Sequence, residues 1–370
     1  MIMFILNGAI DNYILINGKK YSYFAGNNYL GLANHPALKE AAASAIEKYG
    51  LNFSASRQTT GTSDLHLQLE KSLSEFKNKP DAVSFASGYL GNKILLHALQ
   101  DRYDAVFIDE SSHPSIKDAV PNHIRNIHFY KHCQPEHLDA LLTENRTEKP
   151  LIITDGIFTL TADIAPLDKI YPIAQKNDAI LIVDDAHATG IFGRNGRGTP
   201  EYFNLDGKEN IFQSETMSKA FGAYGGFICG PVNLINTIRE KSPVFTGSTA
   251  LPPPLAAAGA AAINIMGQHP DLRTILLDKA SRLREKIIDL EFDTSRDRTP
   301  LVPIFIRSRE KAQNLSDFLK KNYIIAPLIN YPVKNDKFIV RISISVNHTQ
   351  GQIEQLFTLL KQWRDQYGVD

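Results

Sequence analysis

The chain alternates short apolar runs with amphipathic stretches of helical length. AVSFAS (82–87), AVFID (105–109), NIHFY (126–130), LIITDG (151–156), AILIVDD (179–185), IFQSET (211–216) and GGFICG (225–230) are short and β-prone. A run such as AILIV has no polar alternation, the pattern of a strand buried on both faces. Helical stretches lie between several of these runs. That order predicts an α/β fold with a mostly parallel seven-stranded sheet covered on both sides.

Ahead of the sheet, YILINGKKYSYF (13–24) places two alternating runs around Asn17-Gly18, a strong hairpin signal. PALKEAAASAIEKYG (36–50) has helical periodicity between Pro36 and Gly50, and 66–78 reads as a second helix. After Gly230 the character changes. STALPPPLAAAGAAAINIM (248–266) passes from prolines into an alanine-rich helix, and a long amphipathic helix follows at 272–290. LVPIFIR (301–307) and FIVRISIS (338–345) read as strands of a smaller sheet, with a closing helix over 352–366. The expected organisation is an N-terminal arm (1–40), a large domain (41–235) and a smaller α+β C-terminal domain (236–370).

Composition narrows the function. At 370 residues and 43% hydrophobic, the chain can bury a large core. Forty basic and forty acidic side chains cancel, so net charge leaves no footprint for nucleic acid or an anionic membrane. Cys133 and Cys229 are the two cysteines, which make neither a disulfide framework nor a metal-type spacing; no metal is expected. MIMFIL at the N-terminus lacks a basic leader and a cleavage site, and no apolar run approaches the ~20 residues needed to span a bilayer. A cytoplasmic protein is expected.

The chemistry begins with Lys219 in SETMSKAFGAYGG and the Asp184-Asp185-Ala186-His187 stretch upstream. Asp184 and His187 fall at or just past a strand's C-terminal end, where open α/β sheets bind ligands. A lysine among small residues after the next strand can form a Schiff base with pyridoxal phosphate. The carboxylate can hold the pyridine nitrogen protonated, which makes the ring an electron sink. Read singly, each residue has a blander use. Lys219 fits a solvated turn, Asp184 fits a helix cap, and His187 fits a hydrogen-bonded core position. Thr216 and Ser218 beside Lys219 add hydroxyls suited to a phosphate.

Other strand ends carry weaker signals. SFASGYLGN (84–92) places Gly88, Tyr89 and Gly91 before a helix, where exposed amides bind phosphate. His113 fits either a ring lying on the pyridine face or an ordinary loop. Thr159, four residues after Asp155, fits either a cofactor hydrogen bond or a turn.

Taken together, the motifs resemble the α-oxoamine synthases, fold type I pyridoxal-phosphate enzymes that include 8-amino-7-oxononanoate synthases and glycine C-acetyltransferases. The matching stretches include NNYLGLANHP (27–36), SGYLGN (87–92), DGIFT (155–159), VDDAHATG (183–190) and FTGSTALPP (245–253). The resemblance runs from about residue 23 to the C-terminus.

The resemblance implies that Lys219 binds the cofactor covalently and moves the α-proton. It implies that Asp184 pairs with the pyridinium nitrogen, His187 with the phenolic oxygen, and that His113 stacks on the ring. Gly88, Tyr89, Thr159, Thr216 and Ser218 would hold the cofactor and its phosphate. It further implies a homodimer with sites at the interface, Thr249 reaching the partner's phosphate, and Asn28 and Arg341 binding substrate. The implied reaction condenses a small amino acid with an acyl-CoA or acyl-carrier thioester, with loss of carbon dioxide, to give an α-amino ketone.

Departures bear on the acyl donor. The N-terminus is shorter than usual, NYPVKNDKF (330–338) replaces the family loop before Arg341, and Ile339 stands where an arginine often appears. NNYLGLANHP is close to the glycine C-acetyltransferase version, whereas SGY at 87–89 looks like the alanine- or serine-using branches. Alanine with a long acyl chain leads. Glycine acetylation, a serine palmitoyltransferase-like reaction and an aminotransferase on the same fold are the alternatives.

Overall fold

The computed structural model describes residues 4–329 and 337–368. The chain divides into two compact units. The larger comprises Pro36–Phe158 and Ile164–His269; the second comprises Met1–His35, Thr159–Asp163 and Pro270–Asp370.

Strands are numbered along the chain, beginning with β1 (Tyr13–Ile16) and β2 (Lys19–Tyr23). All seven strands expected of the large sheet are present. They are β3 (Asp81–Phe85), β4 (Ala105–Asp109), β5 (Asn126–Tyr130), β6 (Pro150–Asp155), β7 (Ile180–Asp184), β8 (Ile211–Thr216) and β9 (Gly226–Gly230). Their order is β3-β9-β8-β7-β6-β4-β5. Pairing is parallel from β8 through β7, β6 and β4 to β5, and β9 runs antiparallel to both neighbours. The chain is therefore α/β with a mostly parallel sheet.

Period-two alternation sends side chains to two cores. Val106, Ile108, Ile153 and Ile182 meet helix residues Ile94, Leu95, Ile235 and Ile238 on one face. Phe107, Ile152, Leu181 and Val183 meet Leu138, Ile170 and Ala174 on the other. Each such side chain contributes about 1.5–3 kcal/mol by leaving water, which fixes the register and so the positions of the strand ends.

The alanine-rich segment is the helix Pro253–Gln268, and it packs on Pro36–Tyr49 and Asp64–Lys77. Its small residues permit close approach: a Cβ on Gly259 would lie 3.1 Å from Leu69 and 2.8 Å from Met217. This helix therefore belongs to the larger unit, which ends at His269 rather than near residue 235.

In the second unit, β1 and β2 form the expected hairpin. Asn17 (φ 50°) and Gly18 (φ 74°) are both left-handed, as a two-residue type I′ turn requires. β2 also pairs in parallel with β11 (Ile324–Ile325), so the hairpin is part of a three-stranded sheet with a C-terminal segment. β10 (Leu301–Ile306), β12 (Leu328–Ile329) and β13 (Phe338–Ser343) form a second, antiparallel sheet in the order β10-β13-β12. Residues 330–336, which carry most of the departure NYPVKNDKF, lie outside the described residues, as do the first three residues of MIMFIL. No helix among the described residues is long and apolar enough to cross a membrane.

Candidate active site

A cleft of about 230 Å³ opens at the C-terminal ends of the parallel strands. Register places the last residue of β6, Asp155, opposite the last residue of β7, Asp184. Thr216 ends β8 and pairs with Gly226, the first residue of β9. Lys219, Ser218, His187 and His113 come from the loops that follow these strands. All line the cleft, together with Gly88 and Tyr89. A larger cavity of about 550 Å³ lies at the opposite ends of the strands, near Asn78, Asn210 and Gly230.

Asp184 is 9% exposed, and its Oδ2 accepts from Asn92 Nδ2 at 2.6 Å. Its Oδ1 accepts from the Ala186 N–H at 3.2 Å. The same Asn92 amide reaches Ser115 Oγ at 3.2 Å, and Ser115 Oγ lies 2.8 Å from His113 Nδ1. One amide thus ties the carboxylate to the histidine. Burial holds His113 below the usual imidazole range; the Asp184 charge opposes this and the Lys219 charge reinforces it. Burial, then the neighbouring Asp184, raises Asp155 well above the usual carboxylate range. Its protonated form is favoured while Oδ2 accepts from the His113 N–H at 2.9 Å.

Gly88, in the cleft lining, and Gly91, just beyond it, are glycines for want of space. A Cβ on Gly88 would sit 2.6 Å from Thr216 Oγ1, and one on Gly91 would sit 2.3 Å from Ser214 Oγ. The backbone at Gly88, which lines the cleft, can therefore approach a ligand closely. Thr216 Oγ1 and Ser218 Oγ lie 2.5 Å apart, and the Ser218 N–H donates to Thr216 Oγ1 at 3.2 Å.

Asp185 points the other way, as strand alternation dictates. Its carboxylate accepts from Thr199 N at 2.9 Å, Thr199 Oγ1 at 2.5 Å and Gln213 Nε2 at 2.8 Å. Lys77, 1% exposed, pairs with the buried Glu215 beneath. Burial raises both Asp185 and Glu215, and the Lys77 charge pulls each back. Adjacent aspartates thus have separate uses: Asp184 faces the cleft, and Asp185 anchors the layer below it.

The remaining sequence candidates lie elsewhere. Thr249 is exposed and bridges to Ser56 through the backbone, in the larger unit but outside the cleft lining. Asn28, Thr159 and Arg341 belong to the second unit. There, Arg341 Nη1 donates to Thr159 Oγ1 at 3.0 Å. Arg341 Nε and Asn28 Nδ2 are buried with no hydrogen-bond partner among the described residues. Three residues were not singled out from sequence: Asn92, Ser115 and Asp155. Asn92 closes the motif SGYLGN, but an asparagine in a helix's first turn gives no sign that it will meet a carboxylate on a strand 92 positions later.

Comparison with known proteins places this arrangement. Residues 19–360 match the family model for aminotransferase class I and II. The chain belongs to that family. It is 39% identical over 343 residues to the 8-amino-7-oxononanoate synthase of Thermoanaerobacter pseudethanolicus, covering 92% of this chain and 87% of the relative. The corresponding enzyme of Symbiobacterium thermophilum is 39% identical over 344 residues, covering 92% and 88%. Among solved structures, a serine palmitoyltransferase of S. paucimobilis with a bound PLP–myriocin aldimine superposes with a TM-score of 0.94 at 26% identity, covering 100% of this chain and 94% of that one. An 8-amino-7-oxononanoate synthase of Francisella tularensis gives 0.80 at 28% identity, covering 93% and 98%. Within the aminotransferase family the chain is an α-oxoamine synthase, a PLP-dependent acyltransferase.

The cleft fits that cofactor on its own evidence. Asn92 Oδ1 is buried with no hydrogen-bond partner among the described residues, Gly88 leaves no room for a Cβ beside Thr216 and so presents bare backbone, and the Thr216 and Ser218 hydroxyls line the cleft with it. The hydroxyls and the Gly88 backbone offer donors for a phosphate, and Asp184 offers a carboxylate for a cationic ring nitrogen.

Proposed function

We propose that this chain makes an 8-amino-7-oxononanoate-type product by condensing alanine with an acyl thioester. The product name carried by the relatives at 39% identity supports this choice. Read backwards, an amine and methyl beside the ketone come from alanine after loss of its carboxyl group. The remaining seven carbons come from a thioester whose far end is a carboxylate. Carbon dioxide and a free thiol are released.

Pyridoxal phosphate supplies the electron sink that stabilises negative charge at the amino acid α-carbon. The residues do the rest. Lys219 Nζ would hold the cofactor aldehyde carbon and is the amine placed to take the α-proton. Asp184 would hold the ring nitrogen protonated, with Asn92 aiming that carboxylate. His187 would serve the phenolic oxygen. His113, kept neutral by burial, would contact the ring. Gly88, Tyr89, Thr216 and Ser218 hold the cofactor and its phosphate, with Thr159 as a further contact. Arg341, whose buried Nε has no hydrogen-bond partner among the described residues, would take the amino acid carboxylate through its planar fork of donors, and Asn28 would assist.

We place the enzyme in the cytoplasm as a homodimer. The exposed Thr249 supports the dimer, since it suits a contact with the partner's phosphate site. The observation that carries the reading is the convergence of Lys219, Asp184, His187 and His113 on one cleft in a chain 39% identical to these synthases. A second reading, condensation of serine with a long acyl chain, draws on the 0.94 superposition.

Purified holoenzyme should be given glycine, alanine or serine with short, dicarboxylic or long acyl thioesters, and thiol release measured. Release should be fastest with alanine and a dicarboxylic thioester. Preference for serine with a long chain would replace the first reading with the second. Thiol release with none of them would remove both.

A further inference from the structure

Asp109, the last residue of β4, is 1% exposed, and three donors surround its carboxylate. Oδ1 accepts from the Ser111 N–H at 2.9 Å and lies 3.0 Å from His132 Nδ1; Oδ2 accepts from the Cys133 N–H at 2.8 Å. Three donors on two oxygens suit the ionised form, which can only accept. The His132 Nδ1 therefore carries the proton, and Nε2 is the acceptor. Cys133 Sγ stands 3.8 Å from that Nε2, within the reach of a sulfur hydrogen bond.

The arrangement is held rather than incidental. Cys133 adopts φ 51°, a left-handed conformation that costs a non-glycine residue energy and persists where neighbours enforce it. The Cys133 N–H bond to Asp109 does so. Phe158 meets the His132 ring edge-on at 4.3 Å, and the His132 N–H donates to Glu110 Oε1 at 3.2 Å. The first holds the imidazole plane, and the second, made by the backbone, holds the loop that carries it. Cys133 is partly exposed. Cys229 is the contrast: it is buried, and burial pushes its thiol well above the ordinary range.

We propose that Asp109, His132 and Cys133 form an acid–base relay that makes Cys133 a reactive thiol, a modification site for small disulfides. The Sγ proton passes to His132 Nε2, and Asp109 stabilises the resulting imidazolium. The thiolate attacks one sulfur of the disulfide; a new sulfur–sulfur bond forms as the old one breaks. The departing thiolate takes the proton from Nε2 and leaves as a thiol. Cys133 is oxidised to a mixed disulfide, the small disulfide is reduced, and excess thiol reverses the exchange. The same three side chains offer an oxygen, a nitrogen and a sulfur close together, as a metal would require. However, the hydrogen bond to the carboxylate commits Nδ1 as a donor, and a protonated ring nitrogen cannot ligate an ion.

The test is reaction of the holoenzyme with a dipyridyl disulfide near neutral pH, followed by thione release. An ordinary thiol is only about 3% ionised near pH 7, which leaves room for an increase of roughly tenfold or more after allowance for lower intrinsic nucleophilicity. One thiol per chain should react about tenfold or more faster than N-acetylcysteine, the second only after unfolding. Cys133→Ser should remove the fast phase, and His132→Asn and Asp109→Asn should each slow it about tenfold. A wild-type rate no faster than N-acetylcysteine's overturns the proposal even if the His132 and Asp109 variants fail to fold. So does a fast phase that survives Cys133→Ser, or an unchanged rate in folded His132→Asn. Stoichiometric zinc binding that blocks the reaction at submicromolar metal would also overturn it, in favour of a metal site.

Discussion

Asn92 Nδ2 donates to Asp184 Oδ2 at 2.6 Å and also reaches Ser115 Oγ, the neighbour of His113 Nδ1. A buried hydrogen bond to a charged group is worth about 1.5–3 kcal/mol. Asn92→Ala should therefore weaken cofactor binding by roughly 10–100-fold while leaving Lys219 able to react with the aldehyde. A spectroscopic titration with pyridoxal phosphate checks this, with near-ultraviolet circular dichroism to confirm folding. Unchanged affinity in a folded variant would mean that Asp184 is oriented by other groups.

Lys219 makes the sharper test. Lys219→Ala should abolish the visible band of covalently held cofactor, prevent borohydride fixation and lower thiol release by about a thousandfold or more, given the usual worth of a positioned acid–base group together with the covalent link. Lys219→Arg should do the same, because a guanidinium keeps its charge but is neither nucleophile nor base. Retained turnover in either variant would remove the proposed proton transfer.

Much of this was legible in the sequence, for a definable reason. β4 and β7 announce themselves because a doubly covered parallel strand is apolar almost throughout, and ILIVD (180–184) has no polar interruption before its functional aspartate. Lys219, Asp184, His187 and His113 follow strand ends, where the fold opens its cleft. Residues that act through long-range contact were not legible. Asn92 meets Asp184 across 92 positions, and His132 meets Asp109 across 23. Neither spacing has a period. β11 and β12, two residues each, are too short to show alternation, and their pairing is a product of tertiary packing. The boundary near residue 235 followed the change of character after Gly230, whereas Gly259 of the helix Pro253–Gln268 fits that helix against Leu69 and Met217.

Beneath the cleft, Lys77 is the cation paired with buried Glu215 and acting on buried Asp185. Removing one partner of a buried pair typically costs about 3–5 kcal/mol, because the other charge remains without compensation. Lys77→Met should lose stability of about that size in urea unfolding. The loss should grow with pH. Without the lysine both carboxyls rise further above their unfolded values, so the folded variant holds protons that the unfolded chain releases, and stability falls as pH increases. A loss that shrinks as pH rises would contradict this account of the cluster.

His348 gives the opposite slope. Its ring stacks on Phe24 at 4.1 Å, Nδ1 accepts from the Ser345 N–H at 2.9 Å, and Nε2 lies 2.9 Å from the Tyr23 carbonyl oxygen. One nitrogen accepts and the other donates, so the neutral ring satisfies both bonds, and protonation would forfeit the Ser345 contact. Burial, reinforced by Lys279, lowers His348 from 6.5 to about 4, against the raising effect of the Tyr23 hydrogen bond. Because the folded value is the lower one, the unfolded chain binds the extra proton between these limits. Its contribution is complete above about pH 6.5 and is lost as pH falls toward 4. At about 1.4 kcal/mol per unit the loss approaches 3 kcal/mol. His348→Gln keeps polar atoms without a titrating ring. Thermal unfolding of the two proteins across this range should show a steeper acid decline in the wild type, by up to about 3 kcal/mol. Parallel declines would show that His348 is not the group that titrates.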